Sequence, residues 1–314
     1  MISFPKDHAQ HDCANEWWYF DVVSRNNKKS LFSLTLFRID IKKSYVYKGK
    51  LRFLPLKNLY ALYFSCKDKD GFSYRSKIHF LSSIKNYGLD VRIGKTRIFE
   101  YGGNIVVENV FGKNLRLEFS TRNVLLHGKN GRISMDGRGY SNYYSIIDTS
   151  ASFFFENKKE KAEVWFDHQW GDWFFDRDCW DWFGLILDND VQIMVYNFFD
   201  KNRRQLNSTI TVKQGRKQSV LGKLRVKELS YWKSPGSYVT YPIKWLLEFK
   251  NFKLVVSAVI KNSEVKTLGA IFWKGHCKVE GFCDNKRVKG FGFMELVGYE
   301  HFVKGDFCEE YTRI

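Results

Sequence analysis

Phe252-Lys253-Leu254-Val255-Val256-Ser257-Ala258-Val259-Ile260 alternates with a period of two. One face carries Phe252, Leu254, Val256, Ala258 and Ile260, while Lys253 and Ser257 share the other with Val255 and Val259. A β-strand with one fully buried side reads this way. Leu115-Arg116-Leu117-Glu118-Phe119 and Ile210-Thr211-Val212-Lys213 repeat the pattern. Turn signals separate such runs at Lys69-Asp70-Gly71, Tyr101-Gly102-Gly103, Lys129-Asn130-Gly131 and Asp188-Asn189-Asp190. Asn130-Gly131 is the strongest hairpin signal among them. No long amphipathic helix stands out, although 77–88 could hold a short one. Many short strands divided by turns predict an all-β sandwich or barrel.

Tryptophan suggests that one such unit is used twice. The chain has 10 Trp, bunched in two acid-flanked clusters. The first is Glu16-Trp17-Trp18-Tyr19-Phe20, and the second runs from Asp167-His168-Gln169-Trp170 to Trp180-Asp181-Trp182-Phe183. An Asp-His pair precedes each, Asp7-His8 and Asp167-His168, and a strand-like apolar run follows each, 31–37 and 191–198. The polar break Glu156-Asn157-Lys158-Lys159-Glu160-Lys161 places the expected seam near Ser150–Lys161, giving domains 1–155 and 156–314. Large flat side chains beside a few acids suit a pocket for a long apolar molecule.

Bulk properties narrow the function classes. The net charge is +17, yet the basic residues are scattered as pairs such as Lys42-Lys43 and Arg203-Arg204, with no long block. No RNA-binding signature or zinc-finger spacing is present, so no nucleic-acid partner is expected; peripheral contact with an anionic membrane surface is left open. Six Cys (Cys13, Cys66, Cys179, Cys277, Cys283, Cys308) form no dense framework and read as free thiols. No apolar run approaches membrane-spanning length, and the first 25 residues hold no signal-peptide core, so a cytoplasmic location is expected. The sequence does not set the oligomeric state.

The ordered motifs resemble those of the AttH-like / hydroxyneurosporene synthase family, which includes the carotenoid 1,2-hydratases. Phe4-Pro5-Lys6-Asp7-His8 leading into Glu16-Trp17-Trp18-Tyr19-Phe20 is similar to its opening signature. Tyr143-Tyr144-Ser145, Asp167-His168-Gln169-Trp170-Gly171, Trp180-Asp181-Trp182-Phe183 and the closing Gly290–Tyr299 block follow in the same order. The resemblance implies two consecutive lipocalin-like antiparallel β-barrels. Departures accompany it: Lys274 stands where an acid is usual after the closing tryptophan, and Val297-Gly298-Tyr299 replaces a Thr-Gly-Tyr ending. In the hydratases acid chemistry is associated with the strand around the position of Tyr196, and here no carboxylate follows until Asp200. That argues against carotenoid hydration specifically.

Candidate catalytic residues are Asp167, His168 and Glu16. Adjacent strand residues point to opposite faces, so Asp167 and His168 cannot line the same cavity. A carboxyl walled by Trp165, Trp170 and Trp182 would stay protonated near neutrality, able to protonate an isolated alkene. Indole faces would then steady the carbocation by about 1–2 kcal/mol each, and no cofactor would be needed. Equally, Asp167 could fix the barrel mouth by hydrogen-bonding backbone or indole N–H, and Glu16 could serve as a structural tie. Candidate ligand-contacting residues are Trp17, Trp18, Tyr143, Tyr144, Trp170, Trp182 and Tyr196. His8 and His11 lie three apart, but with no helical pattern and no third ligand evident, no metal is expected. No Gly-x-Ser-x-Gly elbow occurs, and Ser141 and Ser145 have no distinctive context for a nucleophile. The reading is a protein that takes a lipophilic small molecule as its partner. It is either a cofactor-independent catalyst of acid-assisted hydration or cyclisation, or a carrier using the same pocket. Attraction to an anionic surface is a third reading.

Overall fold

The structure, a computed structural model, describes residues 2–27, 29–43, 57–68, 71–79, 83–84, 88–135, 139–173, 179–267 and 270–302. Two compact units divide it, Met1–Phe174 and Phe175–Ile314. Both are antiparallel β throughout, and among the described residues helix is limited to 3-10 turns at Lys6–His8, Val110–Gly112 and Tyr299–Phe302. No helix among them is long and apolar enough to cross a membrane.

The first unit comprises β1 (Asn15–Ser24), β2 (Ser30–Asp40), β3 (Asn58–Asp68), β4 (Gly71–His79), β5 (Ser83–Ile84), β6 (Asp90–Ile93), β7 (Thr96–Tyr101), β8 (Asn104–Glu108), β9 (Leu115–Ser120), β10 (Val124–Leu126), β11 (Arg132–Ser134), β12 (Tyr140–Phe155) and β13 (Lys158–Asp172). The second comprises β14 (Cys179–Leu187), β15 (Val191–Phe199), β16 (Gln205–Gln214), β17 (Lys217–Leu221), β18 (Arg225–Lys233), β19 (Thr240–Phe249), β20 (Phe252–Ala258), β21 (Glu264–Thr267), β22 (Ala270–Cys283) and β23 (Lys286–Val297). The sheet orders are β4-β3-β2-β1-β13-β12-β9-β8-β7-β6-β5 and β17-β16-β15-β14-β23-β22-β20-β19-β18. In each, the unit's first strand is paired on one side with the second strand and on the other with the last, which is one winding used twice.

Each sheet curls over its own core. Phe32 on β2 meets Phe153 on β12, three strands away, with ring centroids 5.5 Å apart, and Phe183 on β14 meets Trp245 on β19 at 5.6 Å. Each unit is a lipocalin-like β-barrel. Alternation sets which side chains turn inward. Trp18, Phe20 and Val22 on β1 enter the first core with Val164, Phe166 and Trp170 on β13, and Phe252, Leu254 and Val256 enter the second. Asn130 and Gly131 both take positive φ, 56° and 85°, as the hairpin signal requires. Of the 77–88 segment, 77–79 end β4 and Ser83–Ile84 form β5, so strand replaces the anticipated helix there. Residues 80–82 and 85–87 of that segment, Lys69-Asp70 and Cys308 lie outside the described residues.

The expected seam needs correcting. Glu156 and Asn157 both adopt positive φ and form a two-residue hairpin that joins β12 to β13. β13 then pairs with β1 from Asn15↔Gly171 to Ser24↔Ala162, so 156–174 belongs to the first unit. Charge alone misled: a polar hairpin loop and an interdomain break have the same composition. The second tryptophan cluster is consequently split. Asp167–Trp170 lies on the last strand of one barrel, and Trp180–Phe183 on the first strand of the next. By inward face, the counterpart of Glu16-Trp17-Trp18 on β1 is Asp181-Trp182-Phe183 on β14, and the two Asp-His pairs are not equivalent.

Candidate functional site

Strand β13 divides its acids and bases between two buried faces. Val164, Phe166, His168 and Trp170 turn into the barrel, while Trp165, Asp167 and Gln169 turn away from it. Neighbouring β12 does the same, sending Tyr144 inward and Tyr143 and Ser145 outward through the pairings Tyr144↔His168 and Ser145↔Asp167.

The inner cluster is built on Glu16, which is fully buried. His11 Nδ1 lies 2.8 Å and His168 Nε2 3.0 Å from its Oε1, and Arg38 donates from Nε to Oε2 at 3.0 Å. Burial by itself would raise the Glu16 carboxyl; hydrogen bonds from His11 and His168 and the charges of His168 and Arg38 outweigh it and pull the pKa down to about 2. The segment before β1 lies over this end of the barrel. His8 Nδ1 is 2.6 Å from the Tyr144 hydroxyl, Trp18 donates its indole N–H to the His8 carbonyl at 3.2 Å, and Arg38 donates to the carbonyls of His11 and Cys13. Trp170 stacks on His11 at 4.0 Å, and Trp18 stacks on His168 at 4.8 Å. Burial, chiefly, holds His8 down to about 3 and His168 below its ordinary value.

A cation would find donors here. Atoms of His11, Glu16 and His168 lie within 4.8 Å of one another, and His8, the expected companion of His11, is not part of the group. The same atoms are spent on each other, and Arg38 already neutralises Glu16, so a metal would have to displace these bonds.

The outer cluster centres on Asp167, 4% exposed. Tyr143 donates its hydroxyl to Oδ2 at 2.8 Å, Trp165 donates its indole N–H to Oδ1 at 2.8 Å, and Ser145 donates a short bond to Oδ1. Ser145 in turn lies 2.6 Å from His127 Nε2. Burial pushes the Asp167 carboxyl up to about 7, against those three hydrogen bonds, and the charge of Asp21 adds to the rise. Asp21 itself is held by the Tyr19 hydroxyl.

Of the expected walls around Asp167, Trp165 is in contact. Trp170 is not, because period two puts it on the opposite face with His168. Trp182 belongs to the second unit, on the face of β14 opposite that barrel's core, and is paired in register with Tyr196 of β15. Both are buried, and Tyr196 stacks on Phe198 at 4.6 Å. Trp17 is half-buried and stacks on Phe37 at 5.7 Å. Tyr143 and Tyr144 separate, one to each cluster. Asp181, quoted in the sequence without a role, turns into the second barrel. It accepts from Tyr299 at 2.6 Å and Asn197 at 2.9 Å, and burial raises it to about 6.

Sequence reasoning missed Arg38 and His127. Arg38 sits two residues past Leu36, which turns inward from β2 with Leu34, so alternation along the apolar run 31–37 was the signal that could have found it. His127 follows a three-residue strand and precedes the Asn130-Gly131 hairpin, and nothing local marks its ring as buried.

The AttH-like family pattern matches residues 1–299. Kievitone hydratase of Fusarium solani subsp. phaseoli is 24% identical over 143 residues, 44% of this chain and 41% of its own length. That match therefore spans about two fifths of the curated relative. An AttH-type structure from Nitrosomonas europaea superposes with a TM-score of 0.78 at 19% identity, covering 95% of this chain and 97% of its own. Kievitone hydratase from Nectria haematococca superposes at 0.72 and 17% identity, covering 96% and 94%. At such identities the superpositions show the fold alone. It is the family pattern, spanning both barrels and the clusters on both faces of β13, that assigns the chain: it belongs to the AttH-like family.

Proposed function

We propose that this protein binds a long apolar small molecule, of terpenoid, polyene or acyl type, and adds water across an isolated double bond with Asp167 as the acid. The observation that carries the reading is a buried carboxyl raised to about 7 whose hydrogen-bond partners are a phenol, a hydroxyl and an indole, all neutral. Such a group still holds its proton near neutrality, whereas an ordinary carboxyl has lost it. Proton transfer to the less substituted alkene carbon leaves a carbocation at the other. The faces of Trp165 and Tyr143 offer about 1–2 kcal/mol each toward such a cation, and water adds and loses a proton. A positioned acid contributes about 10²–10⁴-fold to such a step. The relationship to kievitone hydratase supports water addition as the reaction class, and the chemistry itself calls for no cofactor.

The test is turnover in H2¹⁸O with a panel of linear isoprenoid polyenes and unsaturated acyl chains, read by mass spectrometry. Product should carry one ¹⁸O, and Asp167→Asn should abolish it while the ligand still quenches tryptophan fluorescence. The carrier reading has its own supporting observation, since three donors satisfy the Asp167 oxygens as a purely structural carboxylate would require. Ligand binding without ¹⁸O incorporation under any condition selects it.

A further inference from the structure

The outer cluster extends beyond the acid. Ser145 Oγ lies between Asp167 Oδ1 and His127 Nε2, and His127 and Ser145 are both wholly buried. The imidazole is fixed from two sides. β10 pairs with β12 through Leu125↔Ser145, and the His127 backbone N–H donates to the Tyr143 carbonyl at 3.1 Å. At Gly128, φ is +59° and a Cβ would run into the Arg132 carbonyl, so the chain can turn away only with glycine there. Among the described residues, buried His127 Nδ1 has no hydrogen-bond partner.

A serine hydroxyl has one proton to give, and that orders the chain. When Asp167 is charged, Ser145 donates to it, so the imidazole must present Nε2–H to the Ser145 oxygen and leave Nδ1 bare. When Asp167 is protonated, its O–H can turn to Ser145, Ser145 can donate to Nε2, and the imidazole proton moves to Nδ1. The two charge states of the carboxyl call for opposite neutral tautomers of the imidazole. We propose that Asp167, Ser145 and His127 form a proton relay in which the tautomer of His127 switches with the charge of Asp167.

Burial holds His127 down to about 3, so near neutrality it carries one proton. A proton arriving at Nδ1 therefore expels the one on Nε2 to Ser145, whose own proton passes to Asp167 Oδ1. One proton enters, one reaches the acid, and no other bond changes. After Asp167 has given up its proton and His127 has returned to the Nε2–H tautomer, the same transfer would reload Asp167 with a proton released by the added water, which makes His127 a positioning residue acting through Ser145. That use rests on the hydratase reading; the tautomer switch does not. Among the described residues, the other titratable groups that act on the carboxyl are Asp21, held by Tyr19, Tyr143 and, from the inner face, Tyr144, and His127 meets the Tyr143 ring at 4.1 Å. Asp21 moves the midpoint and leaves the order of the chain unchanged.

The experiment is two-bond ¹H–¹⁵N correlation on ¹⁵N-histidine protein, full chain and without substrate, from pH 5 to 9, with Asp167 followed by its ¹³Cγ shift. His127→Gln assigns the signal. His127 should pass from Nδ1–H at low pH to Nε2–H at high pH with the midpoint of Asp167, and Ser145→Ala should freeze the tautomer while Asp167 still titrates. One tautomer throughout, an Asp167 that does not titrate in this range, or a switch that survives Ser145→Ala would each overturn the relay. For an active enzyme, His127→Gln should lower kcat about 10–100-fold with KM little changed. A wild type that shows the switch and no turnover would sink the hydratase reading and leave the relay standing.

Discussion

Glu16 and Asp167 are both buried carboxylates on adjacent, paired strands of one barrel, and their acidities are driven in opposite directions. Glu16 falls to about 2 and Asp167 rises to about 7. Burial is common to both. The difference lies in the partners: Glu16 takes hydrogen bonds from His11 and His168, backed by the charges of His168 and Arg38, while Asp167 on the outward face receives only neutral donors among the described residues. At Asp167 the three hydrogen bonds lower the pKa but do not offset the loss of hydration. The inner acid is a fixed anion that ties the segment before β1 to the barrel, and the outer one keeps a proton to give.

Breaking the inner pair should have the largest effect. Glu16→Leu strands the Arg38 guanidinium in the core and should cost about 3–5 kcal/mol in urea unfolding. Removing both partners, Glu16→Leu with Arg38→Met, should recover most of that loss. If the double variant is no better than the single, the loss does not come from an unpaired Arg38.

The outer acid gives the opposite sign with pH. Its folded pKa is raised, so the unfolded chain ionises first and the penalty grows as pH climbs from about 4 to about 7, reaching up to about 4 kcal/mol. Asp167→Asn should flatten this slope and stabilise the protein above pH 7, as read from urea midpoints across pH. Glu16, with its lowered pKa, contributes stability that is present above about 4.5 and lost as pH falls toward about 2. A finer change sharpens the contrast. Trp165→Phe removes one donor from Asp167 Oδ1 and should raise that acid's midpoint by about one unit, visible in its ¹³Cγ titration. The smallest effect is expected at the hairpin beyond His127. There Asn130→Ala forces an ordinary residue to φ 56° and should cost about 1 kcal/mol by thermal unfolding, whereas Asn130→Gly should cost less.

Local periodicity carried most of the architecture. The alternation of Phe252–Ala258 and the Asn130-Gly131 turn are interactions between near neighbours, so the sequence displays them directly. The opposite orientations of Asp167 and His168 followed from the same period. What was hidden depends on contacts between residues far apart in the chain. β13 closes the first barrel because its residues 162–171 find β1, and no feature of Glu156–Lys161 announces that. Trp170 was placed beside Asp167 because the two are close in sequence, although pleating sets them on opposite sides of the sheet. Ser145 lacked context for the same reason: its neighbours, His127 and Asp167, are 18 and 22 residues away.

The β1–β13 ladder also dictates when the first barrel can come into being. During synthesis, β1 leaves the ribosome well before the strand that will cover its far edge. With roughly 150 residues still to be added at about 5–20 per second, that edge waits about 7–30 s. Throughout the interval Trp18, Phe20 and Val22 have β2 alongside them and no closing partner, so the nascent chain presents a greasy ledge. Production in a host should therefore respond strongly to trigger-factor-type holding chaperones, and a chain released before Asp172 should aggregate instead of yielding a smaller working barrel.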